Sequence, residues 1–174
     1  MADASVRPAV PADAADIADV QVRAWRTGYA GLLPDELLSA LTVEQAEAVW
    51  RRAIEAPPTP RHAVLVASES GRTVGFAALG PADDGDLDFA TSAELLALHV
   101  DPDRTRQGHG SRLLSASIDR IHNDGGAIAV AWLLDGDVPT RSLYEASGWA
   151  ADGSTRKLDA GLPIRQIRLH TALR

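Results

Sequence analysis

Between Val100 and Leu114 the chain reads VDPDRTRQGHGSRLL. An apolar run, Leu95 to Val100, stops at Asp101-Pro102. A loop rich in Arg, Gln and Gly follows. Leu113, Leu114, Ser117, Ile118 and Ile121 then recur at helical spacing. The pattern is strand, tight loop, helix. A helix N-terminus offers unpaired N–H groups and the positive end of a dipole. Gly108 and Gly110 let backbone approach a ligand with no Cβ in the way. Phosphate is the ligand such a loop suits best. The loop is not a P-loop, which needs a Lys that is missing here, nor a dinucleotide fingerprint, whose third glycine is replaced by Leu113. There is no cysteine, so disulfides and thiolate chemistry are excluded. His62, His99, His109, His122 and His170 show no metal-ligand spacing, and no metal is expected.

These residues need a core to hold them. The chain has 174 residues, enough for one domain over residues 1–174 with a full core. Hydrophobic content of 45% and charged content of 24% are ordinary for a globular protein. A net charge of −7 disfavours a nucleic-acid binder. No run approaches a membrane span, and the N-terminus lacks signal-peptide features, so no membrane partner and a cytoplasmic location are expected. Asp83, Asp84, Asp86 and Asp88 form an acidic stretch, read either as a solvated loop or as a lure for a cation.

Ser5 to Val10 reads as a first strand broken by Pro8, and Asp13 starts a helix carrying Ile17, Val20 and Ala24. A short helix is expected near Asp35 to Ala40. Thr42 and Gln45 make a capping box for a helix that stops before Pro57-Pro58. His62 to Ala67 and Thr73 to Leu79 form a hairpin around Gly71. After the strand 93–100 and its helix, Gly125-Gly126 leads to a buried strand, 127–134. Asp137 caps a helix to Ala146, and Trp149 begins a strand. Residues 153–163 read as loop or hairpin connection before a last strand, 164–172. The order predicts an α+β layout with one β-α-β crossover around the loop. Trp50, Trp132 and Trp149 read as core, and His109 as a loop residue between two glycines.

The stretch Val100-Asp101-Pro102 with Gln107-Gly108-His109-Gly110-Ser111-Arg112-Leu113-Leu114 resembles the acyl-CoA pyrophosphate loop of the GNAT superfamily of N-acetyltransferases. That family's pattern is V-x-P, then [QR]-x-x-G-x-[GA], then a helix with a Leu-Leu pair. Leu143-Tyr144-Glu145-x-x-Gly148-Trp149 is similar to its L-Y-E-x-x-G-[FW] segment. Ala24-Trp25-Arg26 with Tyr29-x-Gly31-x-Leu33-Pro34 resembles the first-helix region of many bacterial members. Two positions depart from the pattern: Thr105 replaces Gln or Arg, and Asp137 replaces a common Asn.

The resemblance implies a three-layer α/β/α fold on a twisted, mixed, mainly antiparallel sheet. It implies acetyl-CoA as co-substrate and transfer of the acetyl group to a primary amine of a small molecule or peptide, by direct attack in a ternary complex. The alternative is a non-catalytic acyl-CoA-binding regulatory domain of the same fold. The implied cofactor contacts are the backbone of Leu98, His99 and Val100, and the loop Thr105, Arg106, Gln107, Gly108, His109, Gly110 and Ser111. Tyr144 is the implied acid for the departing thiolate, since a phenol near pKa 10 can donate to a thiolate near 8.5. Glu94 is either the general base or a solvated strand-end carboxylate. Strict alternation would put it on the face of Leu96, Leu98 and Val100, unless a bulge intervenes. Trp25 and Tyr29 are candidates to line the acceptor pocket, His99 is a minor alternative base, and a homodimer is left open.

Overall fold

The computed structural model describes residues 3–159 and 161–174. Its centre is one seven-stranded sheet in the order β1-β2-β3-β4-β5-β7-β6. The strands are β1 (Ala4–Pro8), β2 (Ala63–Glu69), β3 (Arg72–Pro81), β4 (Ser92–Val100), β5 (Ile128–Leu134), β6 (Ala150–Asp159) and β7 (Pro163–Ala172). All neighbours are antiparallel except β4 and β5. The helices are α1 (Ala14–Gly28), α2 (Asp35–Ala40), α3 (Val43–Glu55), α4 (His109–Asn123) and α5 (Val138–Ala146). The expected α+β arrangement of sheet and helices is what the chain adopts.

Alternation sorts the side chains onto two faces. Leu65, Leu79, Leu95, Ala129, Ala131 and Leu169 pack with Leu113, Leu114 and Ile121 of α4. Val66 and Phe76 pack on the other face against Ile17 and Val20 of α1, with Trp50 of α3 beside them. The Thr42 hydroxyl accepts the Gln45 N–H at 3.2 Å, as the capping signal predicts.

Two departures matter for the site. Residues 153–163 are not simply a connection: β6 continues to Asp159 and pairs with β7 down to Asp159↔Pro163. Nearly every β6 side chain is exposed, so an edge strand on this rim shows no apolar alternation. Its register also shifts between Ala151 and Thr155, around Gly153. The second departure is in β4. Ala78 pairs with Ala97 but Leu79 pairs with Leu95, so Leu96 is an extra, bulged residue.

Candidate functional site

β4 and β5 pair in parallel only over Ser92–Glu94 and Ile128–Val130, and then separate. Two cavities flank the gap. The inner cleft, about 610 Å³, is walled by Trp25, Tyr29, Trp50, Trp132, Leu96 and Tyr144 among others. The outer cavity, about 720 Å³, lies over the loop and the start of α5. Tyr29, Leu98, His99, Asp137 and Thr140 line both, so the cavities meet through the splayed sheet.

The outer cavity gathers most of the residues singled out as a phosphate loop. Leu98, His99 and Val100 line one side. Thr105, Arg106, Gly108, His109, Gly110 and Ser111 line another, whereas Gln107 does not. Asp101 anchors the loop. Its N–H donates to Val74 O at 2.8 Å, and its carboxylate accepts the Asp103 N–H at 2.9 Å and lies 2.9 Å from Arg23 Nη2. Burial opposes the Asp101 charge, yet Arg23 and that N–H hold the carboxyl below its usual value. The backbone then turns through left-handed conformations at Arg106 (φ 64) and Gly108 (φ 85), and α4 starts at His109. Turns of this kind make concavities that favour anions.

Sequence reading misses two features of the loop. His109 is not a plain loop residue. Its ring is buried, accepts from Arg112 Nη2 at 2.9 Å on Nδ1, and points Nε2 at Glu69 Oε1, 4.0 Å away. Burial, with the charges of Arg112 and Arg104, lowers its pKa against the pull of Glu69. Arg104 also holds Glu69, at 3.0 Å, so the loop is clipped to the end of β2. Gly110, in turn, leaves room for another element rather than only for a ligand: a Cβ there would meet Leu143 Cδ2 at 3.0 Å.

At the junction, Trp25 Nε1 donates to His99 Nε2 at 3.1 Å, so the neutral ring carries its proton on Nδ1. Phe76 and Tyr29 flank that ring, with centroids at 5.6 and 5.9 Å. Burial pushes the His99 pKa down to about 4. Tyr144 is buried on α5, edge-on to Trp149 at 4.9 Å. Burial, then the neighbouring Tyr29 and Asp137, raise its pKa above the phenol range. Tyr29 is pushed up to about 12 by burial and by Asp137. Asp137 itself is buried and caps α5 through Thr140 N–H at 3.3 Å.

Glu94 is not on the predicted face. Ala93 and Leu95 belong to the α4-side core, as do the packed Leu98 and Val100, whereas Ala97 packs on the α1 side. The parity switches at the Leu96 bulge, so Glu94 shares the face of Ala97 and His99. It lines neither cavity. It pairs across the sheet with Gly80, where a Cβ would come 2.7 Å from the His62 ring, and His62 does line the cleft. Burial raises the Glu94 pKa, Arg156 opposes this, and Asp84 adds to it.

Trp132 is cleft wall rather than core. It is half-buried, donates to Asp84 Oδ2 at 3.2 Å, and lies under the Arg156 guanidinium at 4.3 Å. The acidic stretch is no free lure either. Asp84 and Asp86, with Asp152, surround the buried Arg168, at 3.3, 2.8 and 2.6 Å. Asp88 ties its own turn through Ala90 N–H. Among the described residues no cluster of three or more His, Asp or Glu could hold a metal ion, and no helix is long and apolar enough to cross a membrane.

Known proteins share this architecture. YncA from Salmonella typhimurium, whose structure holds acetyl-CoA, superposes with a TM-score of 0.74 at 21% identity, covering 98% of this chain and 94% of that one. The PaiA N-acetyltransferase from Thermoplasma acidophilum, in complex with coenzyme A, gives 0.75 at 18%, covering 98% and 99%. The uncharacterised N-acetyltransferase YuaI of Bacillus subtilis is 31% identical over 167 residues, 95% of this chain and 91% of its own. Residues 23–149 match the acetyltransferase (GNAT) family. The chain belongs to that family.

Proposed function

We propose that this acetyltransferase moves the acetyl group of acetyl-CoA onto a primary amine of a small molecule or peptide, by direct attack while both substrates are bound. The observation that carries this reading is the meeting of the two cavities through the gap between β4 and β5, beside Tyr144. The outer cavity has the loop to hold phosphates. The inner cleft has room for an acceptor.

In this reading, backbone N–H groups of the loop from Gly108 to Ser111 hold the pyrophosphate, and exposed Arg106 adds charge. The backbone of Leu98 to Val100 runs beside the pantetheine arm, and an N–H of β4 at the gap polarises the thioester carbonyl. Such a donor stabilises charge that develops only on the way to the transition state. The amine nitrogen bonds to the acetyl carbon, and the carbon–sulfur bond breaks. Tyr144, kept protonated by burial, hydrogen-bonds to the sulfur as it gains charge, and the released thiolate takes its proton from solvent. The ammonium proton passes to Glu94 by way of His62 or water, since Glu94 does not reach the cleft wall. With no cysteine in the chain, no acetyl-cysteine stage is available.

Release of CoA thiol on mixing the protein with acetyl-CoA and an amine panel tests this reading. Tyr144→Phe is expected to lower kcat by about a hundredfold or more, the scale of a lost hydrogen-bond donor to developing charge, with acetyl-CoA affinity within about twofold. Unchanged kcat would remove Tyr144 from the chemistry. Tight acetyl-CoA binding with no turnover on any amine would favour a non-catalytic acyl-CoA-binding domain instead.

A further inference from the structure

The inner cleft has a chemical character that the transfer reading does not use. Its three indole N–H groups and the Gln166 carbonyl are already satisfied within the protein, while the hydroxyls of Tyr29 and Tyr144 and the His62 ring also line it. Trp25 Nε1 donates to His99, Trp50 Nε1 to Gln21 at 2.7 Å, and Trp132 Nε1 to Asp84. Gln166 Oε1 is taken by Arg156 at 2.6 Å. What the wall offers a ligand is therefore mainly ring faces and aliphatic surface, including Leu37, Leu96 and Leu134. Among the described residues no Lys or Arg lines the cleft, and the only carboxylate that does is Asp137, at the junction with the outer cavity. The aspartates nearby cannot take a second cation cheaply, because Asp84, Asp86 and Asp152 are engaged by Arg168.

Each acceptor class meets this surface differently. An amino acid brings a carboxylate that finds no cationic partner, and burying an unpaired charge is costly. A polyamine brings several ammonium groups to one carboxylate. A polyhydroxylated amine brings more donors and acceptors than the few uncommitted polar groups of this wall can meet. A single ammonium on an aromatic or branched apolar body fits all three facts. Its body lies against Trp50, Trp132 and Leu96, and its ammonium points to Asp137, which is where the cleft opens to the thioester side. The aromatic faces add a weak attraction for the cation as it enters.

Resting on the acetyl-transfer reading, we infer that the acceptor is a singly charged primary amine carrying an aromatic or branched apolar body and no carboxylate, seated in the inner cleft with its ammonium toward Asp137. The experiment uses matched probes on the full chain with acetyl-CoA: 2-phenylethylamine against phenylalanine, 3-methylbutylamine against leucine, and spermidine. Each amine differs from its amino acid by the carboxylate alone. Product is followed by mass and CoA by thiol release. The two apolar amines are expected to exceed their amino acids and spermidine in kcat/KM by about tenfold or more, the scale a pocket's complementarity gives. Equal or better turnover of phenylalanine, leucine or spermidine overturns the inference while leaving acetyl transfer intact. If no probe turns over, the transfer reading is what fails. Calorimetric titration of phenylethylamine and phenylalanine into the CoA-saturated protein then decides the inference alone, equal affinities overturning it.

Two variants locate the seat. Leu96 is 51% exposed at the bulge, so Leu96→Lys keeps the fold. It is expected to raise KM for phenylethylamine by about tenfold with acetyl-CoA KM unchanged. Asp137→Asn keeps a helix-capping side chain and loses only the charge. It is expected to raise KM for the amine and to narrow the preference for phenylethylamine over phenylalanine. An unchanged preference in both variants overturns the placement.

Discussion

Gly108→Ala is the sharpest single test of the loop, because the structure says where the free energy must go. Gly108 has φ 85, and its missing Cβ faces Arg112 Nη1 at 3.0 Å. A residue with a Cβ in that conformation costs roughly 1–2 kcal/mol. The contact itself is with the end of a flexible side chain, which can move. Arg112, however, is held by Gln107 O at 3.2 Å and by His109 Nδ1, so moving it weakens the bonds that hold the loop together. The strain has two outlets. If the loop keeps its shape, the cost appears as stability, about 2–8 °C in Tm for a chain of this size. If the loop relaxes, the cost appears in acetyl-CoA binding, about 5- to 30-fold in Kd.

Thermal unfolding of the free protein and calorimetric titration with acetyl-CoA read both outlets on one sample. The expected outcome is a loss in one or the other that sums to the strain. Unchanged Tm together with unchanged acetyl-CoA Kd would falsify the claim that this backbone turn forms the phosphate site. Arg106→Gly separates charge from conformation. Arg106 already sits at φ 64, so glycine relieves strain while raising the entropy lost on folding, about 0.5–1 kcal/mol. Stability should therefore stay nearly level, while acetyl-CoA affinity falls and becomes less sensitive to salt.

Two further outcomes follow from buried charge. His99 is neutral when folded, with its pKa depressed to about 4 from an ordinary 6.5. The unfolded chain binds the extra proton in that window, so stability present above about 6.5 is lost as pH falls toward 4. His99→Gln should flatten that part of the pH–stability curve, and an unaltered slope would rule His99 out as its source. Arg168→Met strips the partner from Asp84 and Asp152, and should cost about 3–5 kcal/mol at neutral pH by denaturant unfolding. Asp152 has its pKa held down: burial opposes its charge, but the Ser154 N–H and Arg168 stabilise it. Its contribution is present above about 3.9 and lost as pH falls below that, so the variant's deficit should shrink in acid. A deficit independent of pH would argue for lost packing alone.

The elements with periodic apolar faces were legible in the sequence: α1, α3, α4, β2, β3 and β5 fall where spacing places them. Only the start of β6, read at Trp149, was legible; its run past Gly153 was not, because an edge strand with exposed side chains and an Asp-Gly-Ser stretch carries turn chemistry and no buried face. His109 between two glycines gives no local sign of burial. Its environment is made by Glu69 from another strand and by Arg112 one helical turn on. The aspartates read as a surface feature for the same reason: Arg168, which they surround, comes from the far end of the chain. Trp132 was misassigned although its own strand held a clue, since it alternates with Ala131 and Leu133 and so lies on the face opposite them.

The bulge at Leu96 explains why β4 can serve both the core and the site. In the stretch Ala93 to Val100, strict alternation cannot keep Leu95 with Leu98 and Val100 on one face. If Leu98 and Val100 face α4 under strict alternation, Glu94 faces it too, among Leu113 and Leu114, where an unpaired carboxylate is costly. The inserted residue resolves the conflict. Ala93 and Leu95 stay in the α4-side core, Glu94 moves to the opposite face, and Leu96 is pushed out to the cleft wall. Bulges also increase local twist. The last paired residue of β4 toward β5 is Glu94, two positions before the bulge, and beyond it the strands part. The same added residue that spares the core a charge therefore sits where the sheet opens, and the two cavities meet in that opening.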